Sequence, residues 1–193
     1  MIVDDKVVLV CDGCDQQFIV AVSMESGEEI WKTSRPPIQA PSVEMKKAYS
    51  TPTLITVKGK QQMVVPGAKW LCAYDPTDGK EIWRFDHGSG FSITPMASFE
   101  KDLVIFSTGY GAKEFVAVRP TGTGDVTKTE QAWRARNAPE MASMISKDGQ
   151  LFAIGDKGVA ICLNAETGEV LGKERRLANV SASPLLACLL YTF

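Results

Sequence analysis

One phrase recurs along this chain and limits its folding more than any other feature. It is an alternating apolar run, a short polar turn ending in Gly, and then Glu with an apolar residue and Trp. The first copy runs from Phe18 to Lys32 and the second from Leu71 to Arg84. The third is Phe115-Val-Ala-Val-Arg-Pro120, interrupted by an insertion before Gln131-Ala-Trp133-Arg134, and the fourth runs from Ala160 to Lys173. Equivalent positions lie about 38 to 52 residues apart, the period of propeller blades rather than of helical repeats.

Each unit has a simple physical reading. Alternation such as Val20 and Val22, or Leu71 and Ala73, makes a strand with one face against a neighbour. The turns Ser26-Gly27, Asp78-Gly79 and Thr167-Gly168 combine a side chain that bonds local backbone with a residue that accepts positive φ. A last strand follows, and its indole (Trp31, Trp83 or Trp133) is expected to pack between sheets. Upstream lies a second hairpin, seen in the fourth unit as Met144–Ser146, the turn Lys147-Asp148-Gly149, and Gln150–Ile154, with Gly155 to Gly158 leading into the third strand. No stretch of helix length shows a 3.6-residue apolar period. The expectation is therefore all-β: a partial β-propeller of about four four-stranded antiparallel blades, at approximately 1–35, 49–86, 91–136 and 140–175, with an incomplete blade at 180–193. The first unit opens directly at Lys6–Val10 with most of a first strand missing, and the last stops at Tyr191–Phe193. These ends describe part of a larger ring, with exposed blade edges that permit self-association.

Composition removes several classes of function. A net charge of −2 gives no field for nucleic acid, and no apolar run approaches bilayer length. Met1–Lys6 lacks the pattern of a signal peptide, which leaves either a cytoplasmic protein or one whose natural beginning is missing; the truncated first unit favours the latter. The cysteines are Cys11, Cys14, Cys72, Cys162 and Cys188, an odd count without disulfide-framework spacing. Cys11-x-x-Cys14 has no second ligand pair for a structural zinc, so buried or loop thiols are expected; a redox or metal role for the two stays open.

The Thr-Gly-Glu-Val/Ile-Trp pattern, preceded by Ser50-Thr51-Pro52, Ile93-Thr94-Pro95 and Ser183-Pro184, resembles the PQQ-like repeat. That repeat builds quinoprotein-dehydrogenase-type propellers and the propeller lipoprotein of the bacterial outer-membrane barrel-assembly machinery. Ala117–Pro120, Gly124–Thr127 and Ala132–Arg134 look, more narrowly, like large PQQ-repeat proteins of environmental bacteria. The resemblance covers essentially the whole chain and implies fold more strongly than activity. It also implies that the blades are a fragment of a seven- or eight-bladed ring, and an extracytoplasmic bacterial location.

Residues that suggest chemistry have structural readings. His87 lies between units in Asp86-His87-Gly88-Ser89-Gly90, where a loop histidine is expected rather than an acid–base or nucleophile partner. Gly109-Tyr-Gly111 reads as a turn between second and third strands, and residues 120–131 as an insertion in the last hairpin; neither ends in the Gly-Lys-Ser/Thr of a phosphate loop. Asp12, Asp15, Asp75 and Asp78 read as turn formers, not calcium ligands. Trp70, off the repeat position, is expected to pack and is the one indole able to line a rim. No catalytic, cofactor-binding or metal residue is assigned. The resemblance thus implies a non-catalytic binding or scaffold module for a protein, peptide or glycan. The alternative it carries is a fragment of a quinoprotein dehydrogenase using PQQ and calcium.

Overall fold

The computed structural model describes residues 1–175 and 178–186. Its strands form four antiparallel sheets, consecutive in sequence. The first contains β1 (Ile2–Val3), β2 (Lys6–Asp12), β3 (Gln17–Ser23) and β4 (Glu29–Ser34). The second contains β5 (Thr53–Val57), β6 (Lys60–Pro66), β7 (Trp70–Tyr74) and β8 (Glu81–Asp86). The third contains β9 (Ser98–Glu100), β10 (Leu103–Ser107), β11 (Glu114–Val118) and β13 (Gln131–Arg136). The fourth contains β14 (Ile145–Lys147), β15 (Gln150–Ile154), β16 (Val159–Asn164) and β17 (Val170–Arg175). The helical content of the described residues is one 3₁₀ turn, Val43–Lys46. All-β sheets in this order are a partial propeller, as the repeat required. The first sheet keeps a first strand after all, two residues long, where Ile2 pairs with Val7 and Val3 with Lys6.

Sheet stacks on sheet through three apolar cores. Val8, Ile19, Ala21 and Trp31 of the first sheet meet Met63, Val65, Cys72 and Tyr74 of the second. Val64, Leu71, Ala73 and Trp83 meet Val104, Phe106, Val116 and Val118. Ile105, Phe115, Ala117 and Trp133 meet Leu151, Ala153, Ile161 and Leu163. Successive residues of a strand alternate between one junction and the next, which is why the central sheets read as continuous apolar runs.

A β-bulge recurs at one place in every sheet and explains the Glu-Ile-Trp signature. Register shifts between Ala21 and Val22, Ala73 and Tyr74, Ala117 and Val118, and Cys162 and Leu163. The bulge leaves Ile30, Ile82 or Ala132 as the extra residue and turns the next side chain, Trp, toward the following sheet. There it lands on a glycine. A Cβ on Gly79 would lie 2.7 Å from Trp31 Cδ2, and one on Gly168 would lie 2.6 Å from Trp133 Cδ2. Both glycines also sit at positive φ, 72° and 74°. The turn and the approach of the ring thus impose the same residue. Trp83 meets a different surface, because the third sheet's turn is the insertion: its Nε1 donates to Gln62 Oε1 at 2.8 Å, and Gln62 Nε2 donates to Pro120 O at 3.2 Å.

That insertion does more than lengthen a hairpin. It carries β12 (Gly124–Asp125), which pairs in parallel with Trp83 and Arg84 on β8 of the preceding sheet. Thr127 Oγ1 accepts from Asp86 N at 2.8 Å, and Val126 is buried in the second junction. The second sheet therefore has five strands.

Near the first strands, the Ser/Thr-Pro segments bond from sheet to sheet. Ser50 Oγ donates to Pro95 O at 2.8 Å, Thr53 Oγ1 to Ala97 O at 2.9 Å, and Met96 N to Ser143 Oγ at 3.1 Å. Ser143 N donates to Ser183 Oγ at 2.9 Å, which continues the pattern past the fourth sheet. The rest of the expected fifth blade, with Cys188 and Tyr191–Phe193, lies outside the described residues.

Candidate functional site

Antiparallel order brings two kinds of segment to one end of the sheets: the turn after each second strand and the long connection after each fourth strand. Their backbones join across sheets. Tyr49 N donates to Ile93 O at 2.7 Å, Ser92 N to Lys47 O at 2.8 Å, and Lys69 N to Gly90 O at 3.0 Å. Connections of this kind vary freely in sequence over a fixed scaffold, so a candidate site is sought among them.

Two depressions open among them. The larger, about 620 Å³, lies between the third and fourth sheets and is lined by Lys113, Asn137, Glu140, Asp156, Lys157 and Asn179 among others. Lys113 Nζ is ion-paired with Glu140 Oε1, and that hydrogen bond raises the lysine's pKa. Both carboxylate oxygens of Asp156 accept from Glu140 N at 3.2 Å. The smaller, about 280 Å³, is lined by Ile38–Pro41, Met45, Lys69 and Gly88–Gly90. At its edge Lys69 Nζ meets Asp86 Oδ2 at 2.6 Å. Alternating cations, carboxylates and amides offer donors and acceptors to a polar partner. Among the described residues no three of His, Cys, Asp and Glu stand close enough together to hold a metal ion.

His87 lies in the connection after β8, as the sequence reading placed it, but it is not an exposed loop residue. It is buried, edge-on to Phe106 with ring centroids 5.4 Å apart. Its Nε2 lies 2.8 Å from Gly67 O. A carbonyl only accepts, so Nε2 carries the proton and Nδ1, which has no hydrogen-bond partner among the described residues, is bare. Burial drives its pKa down to about 4, against a smaller opposing effect of the Gly67 bond. The ring is a neutral strut between sheets.

Asp12 corrects its expectation more sharply. It is not a turn former: it ends β2, is buried, and lies 3.4 Å from Arg35 Nη1. Arg35 Nη2 donates to Val65 O of the second sheet at 3.1 Å, so the pair ties the two sheets together. Burial raises the Asp12 pKa, and the Arg35 charge opposes that rise. Gly67 leaves room for the guanidinium, since a Cβ there would collide with Arg35 Nη2. No sequence signal linked residues 23 positions apart. Asp75 and Asp78 are turn formers as read, with Asp75 Oδ1 accepting from Thr77 N and Asp78 Oδ1 from Lys80 N.

Trp70 is half-buried, and its Nε1 donates to Pro37 O at 3.2 Å, so it holds the first connection. Cys11 and Cys14 are free, half-buried thiols, and Cys14 Sγ donates to Glu44 Oε1 at 3.6 Å. Cys72 is fully buried, which pushes its pKa up to about 11 and keeps it an inert thiol. Gly109–Gly111 lie between β10 and β11, as expected.

Radial four-stranded sheets with an indole of one sheet seated on the turn of the next define a propeller of the PQQ-repeat class. The family model described as outer membrane protein assembly factor BamB matches residues 15–146, and the chain belongs to that family. Among solved structures it is similar to BamB from Moraxella catarrhalis, with a TM-score of 0.65 at 16% identity over 92% of this chain and 51% of that one. It is also similar to the quinohemoprotein alcohol dehydrogenase from Comamonas testosteroni, with a TM-score of 0.62 at 14% identity over 88% of this chain and 36% of that one. A europium-containing methanol dehydrogenase gives a TM-score of 0.58 at 16% identity over 90% of this chain and 40% of that one. The chain thus spans about half the length of the BamB structure and less of the dehydrogenases. No curated protein sequence matches it. No helix among the described residues is long and apolar enough to cross a membrane.

Proposed function

We propose that this chain is a recognition and scaffold propeller of an extracytoplasmic bacterial protein, working on the side of outer-membrane protein assembly rather than of alcohol oxidation. The observation that carries the reading is how the buried ionisable groups are used. His87 bonds Gly67 O of its own sheet and packs edge-on against Phe106 of the third. Arg35 joins Asp12 of the first sheet to Val65 O of the second, so both groups serve packing. The family match to an outer membrane protein assembly factor points the same way. On this reading the repeat units run approximately 1–35, 49–86, 91–136 and 140–175, with a further unit begun near 180. No residue is assigned a catalytic or cofactor role. The partner is a protein, peptide or glycan held at the loop end, where Lys113, Glu140 and Asp156 alternate in charge.

The competing reading takes its support from the dehydrogenase neighbours. Titration with PQQ and Ca²⁺, followed by equilibrium dialysis and dye-linked oxidation of ethanol, separates the two. The scaffold reading predicts no saturable quinone binding and no dye reduction. Saturable binding with turnover would replace it by the oxidoreductase. In the same preparation, cross-linking to an unfolded outer-membrane β-barrel protein is expected, and it should weaken when Lys113→Glu reverses the rim charge.

A further inference from the structure

At the loop end every junction is built from the same repeat positions, and the third junction leaves them unfilled. One position comes from the preceding sheet: four residues after Trp31, Trp83 and Trp133 stand Arg35, His87 and Asn137. The others come from the last two strands of the following sheet. Register makes Cys72–Arg84, Val116–Arg134 and Ile161–Lys173 equivalent pairs, with Trp70, Glu114 and Val159 two residues before the first member of each.

The first two junctions fill this space with large groups. In the first, Arg35 is buried and donates to Val65 O, and the Arg84 guanidinium lies over the Trp70 ring, 5.7 Å from its centroid. In the second, His87 is buried, and Arg134 Nη1 donates to Glu114 Oε2 at 2.7 Å and to His87 O at 3.4 Å. In the third the same positions hold Asn137, Val159 and Lys173. Asn137 is exposed, and the cavity of about 620 Å³ opens where the large groups are lost. Sites for small molecules occupy about 300–1,000 Å³.

The lining of this cavity is divided. Ala138, Val159 and Ile161 supply an apolar floor. Its carboxylates are already engaged: Glu140 pairs with Lys113 Nζ, and both oxygens of Asp156 accept from Glu140 N. The other two cations of the lining, Lys157 and Lys173, have no ion-pair partner among the described residues. Free positive charge above an apolar floor selects an amphipathic anion over a neutral molecule of the same shape.

We propose that the cavity at the third junction binds a small organic carboxylate with an apolar body, its carboxylate held by Lys157 and Lys173 and its body laid on Ala138, Val159 and Ile161. The assignment does not depend on the macromolecular partner: a titration uses the chain alone, whereas cross-linking requires the barrel protein.

Octanoate is the probe and octanol its neutral counterpart, each titrated into the whole chain and followed by amide chemical shifts. Octanoate should give saturable shifts at cavity residues such as Gly155 and Val159. Octanol should bind about fivefold more weakly or worse, the worth of one exposed ion pair. Lys157→Met with Lys173→Met keeps the apolar stems of two exposed side chains and should erase the preference for octanoate. Val159→Trp returns the ring that Trp70 gives the first junction, and by filling the floor it should weaken octanoate by about tenfold or more. Octanol binding as tightly as octanoate, or an absence of saturable shifts, would overturn the proposal. So would a double lysine variant that still prefers octanoate, or a folded Val159→Trp that binds it as wild type does. Should Val159→Trp not fold, the double lysine variant decides alone.

Discussion

Gly79→Ala and Gly27→Ala form a matched pair that isolates the energy of seating an indole. Both glycines close the same turn, at φ of 72° and 74°, so each Ala carries the same left-handed backbone strain, about 1 kcal/mol. Only at Gly79 does the added methyl meet anything. It would lie 2.7 Å from Trp31 Cδ2 and 2.9 Å from Thr33 Oγ1, whose hydroxyl donates to Gly79 O at 2.8 Å. Trp31 is held by Ala21 opposite it and by the first-junction core, so the ring has to shift off the turn or the sheets have to part. Overpacking of that kind costs about 1–3 kcal/mol. Gly79→Ala should therefore destabilise by about 2–4 kcal/mol and Gly27→Ala by about 1 kcal/mol. Over a domain of this size, the difference of about 2 kcal/mol separates the melting temperatures by roughly 4–8 °C. Urea unfolding followed by far-ultraviolet circular dichroism measures both. Equal losses for the two substitutions would refute the seating argument, because they would leave only the turn strain they share.

Two further outcomes follow from the buried ionisable groups. The imidazole of His87 titrates near 6.5 when unfolded and near 4 in the fold, so the unfolded state alone gains the proton as pH falls between those values. The stability present above pH 6.5 should drop by about 3 kcal/mol by pH 4. His87→Gln, which keeps a donor for Gly67 O and does not titrate, should remove that part of the slope in urea midpoints measured across pH; an unchanged slope would contradict the assignment. Arg35→Leu strands Asp12 among apolar groups and should cost about 3 kcal/mol, whereas Asp12→Asn with Arg35→Leu should cost less than Arg35→Leu alone. Additive losses in that cycle would show that the two side chains do not act together.

What the sequence disclosed follows from what was local. The strand alternation, the Gly turns and the Trp position all lie within one repeat, and each repeat says the same thing, so fold class and sheet membership were legible. The features it hid are those in which one repeat touches another. Asp12 reads as a turn former because Asp next to Gly is a turn signal; only stacking brings it to Arg35 and the Val65 carbonyl. His87 sits among glycines and polar residues that mark a connection, yet the connection folds back and buries the ring against Phe106. The insertion of residues 120–131 was visible as an insertion, while its pairing with β8 depends on a neighbouring sheet. Candidate binding groups at the loop end, Lys113, Glu140 and Asp156, belong to three different segments and carry no shared motif.

The central claim is that the first sheet locks on the second, and the third on the fourth, by an indole laid on the next sheet's turn glycine. Nuclear Overhauser spectroscopy of the folded chain reads this directly. Cross-peaks should join the indole Hε3 of Trp31 to the Gly79 Hα protons and that of Trp133 to the Gly168 Hα protons, with those glycine protons shifted upfield by the rings. Trp31 and Trp133 resonances without contact to either glycine, in a protein that is otherwise folded, would contradict it.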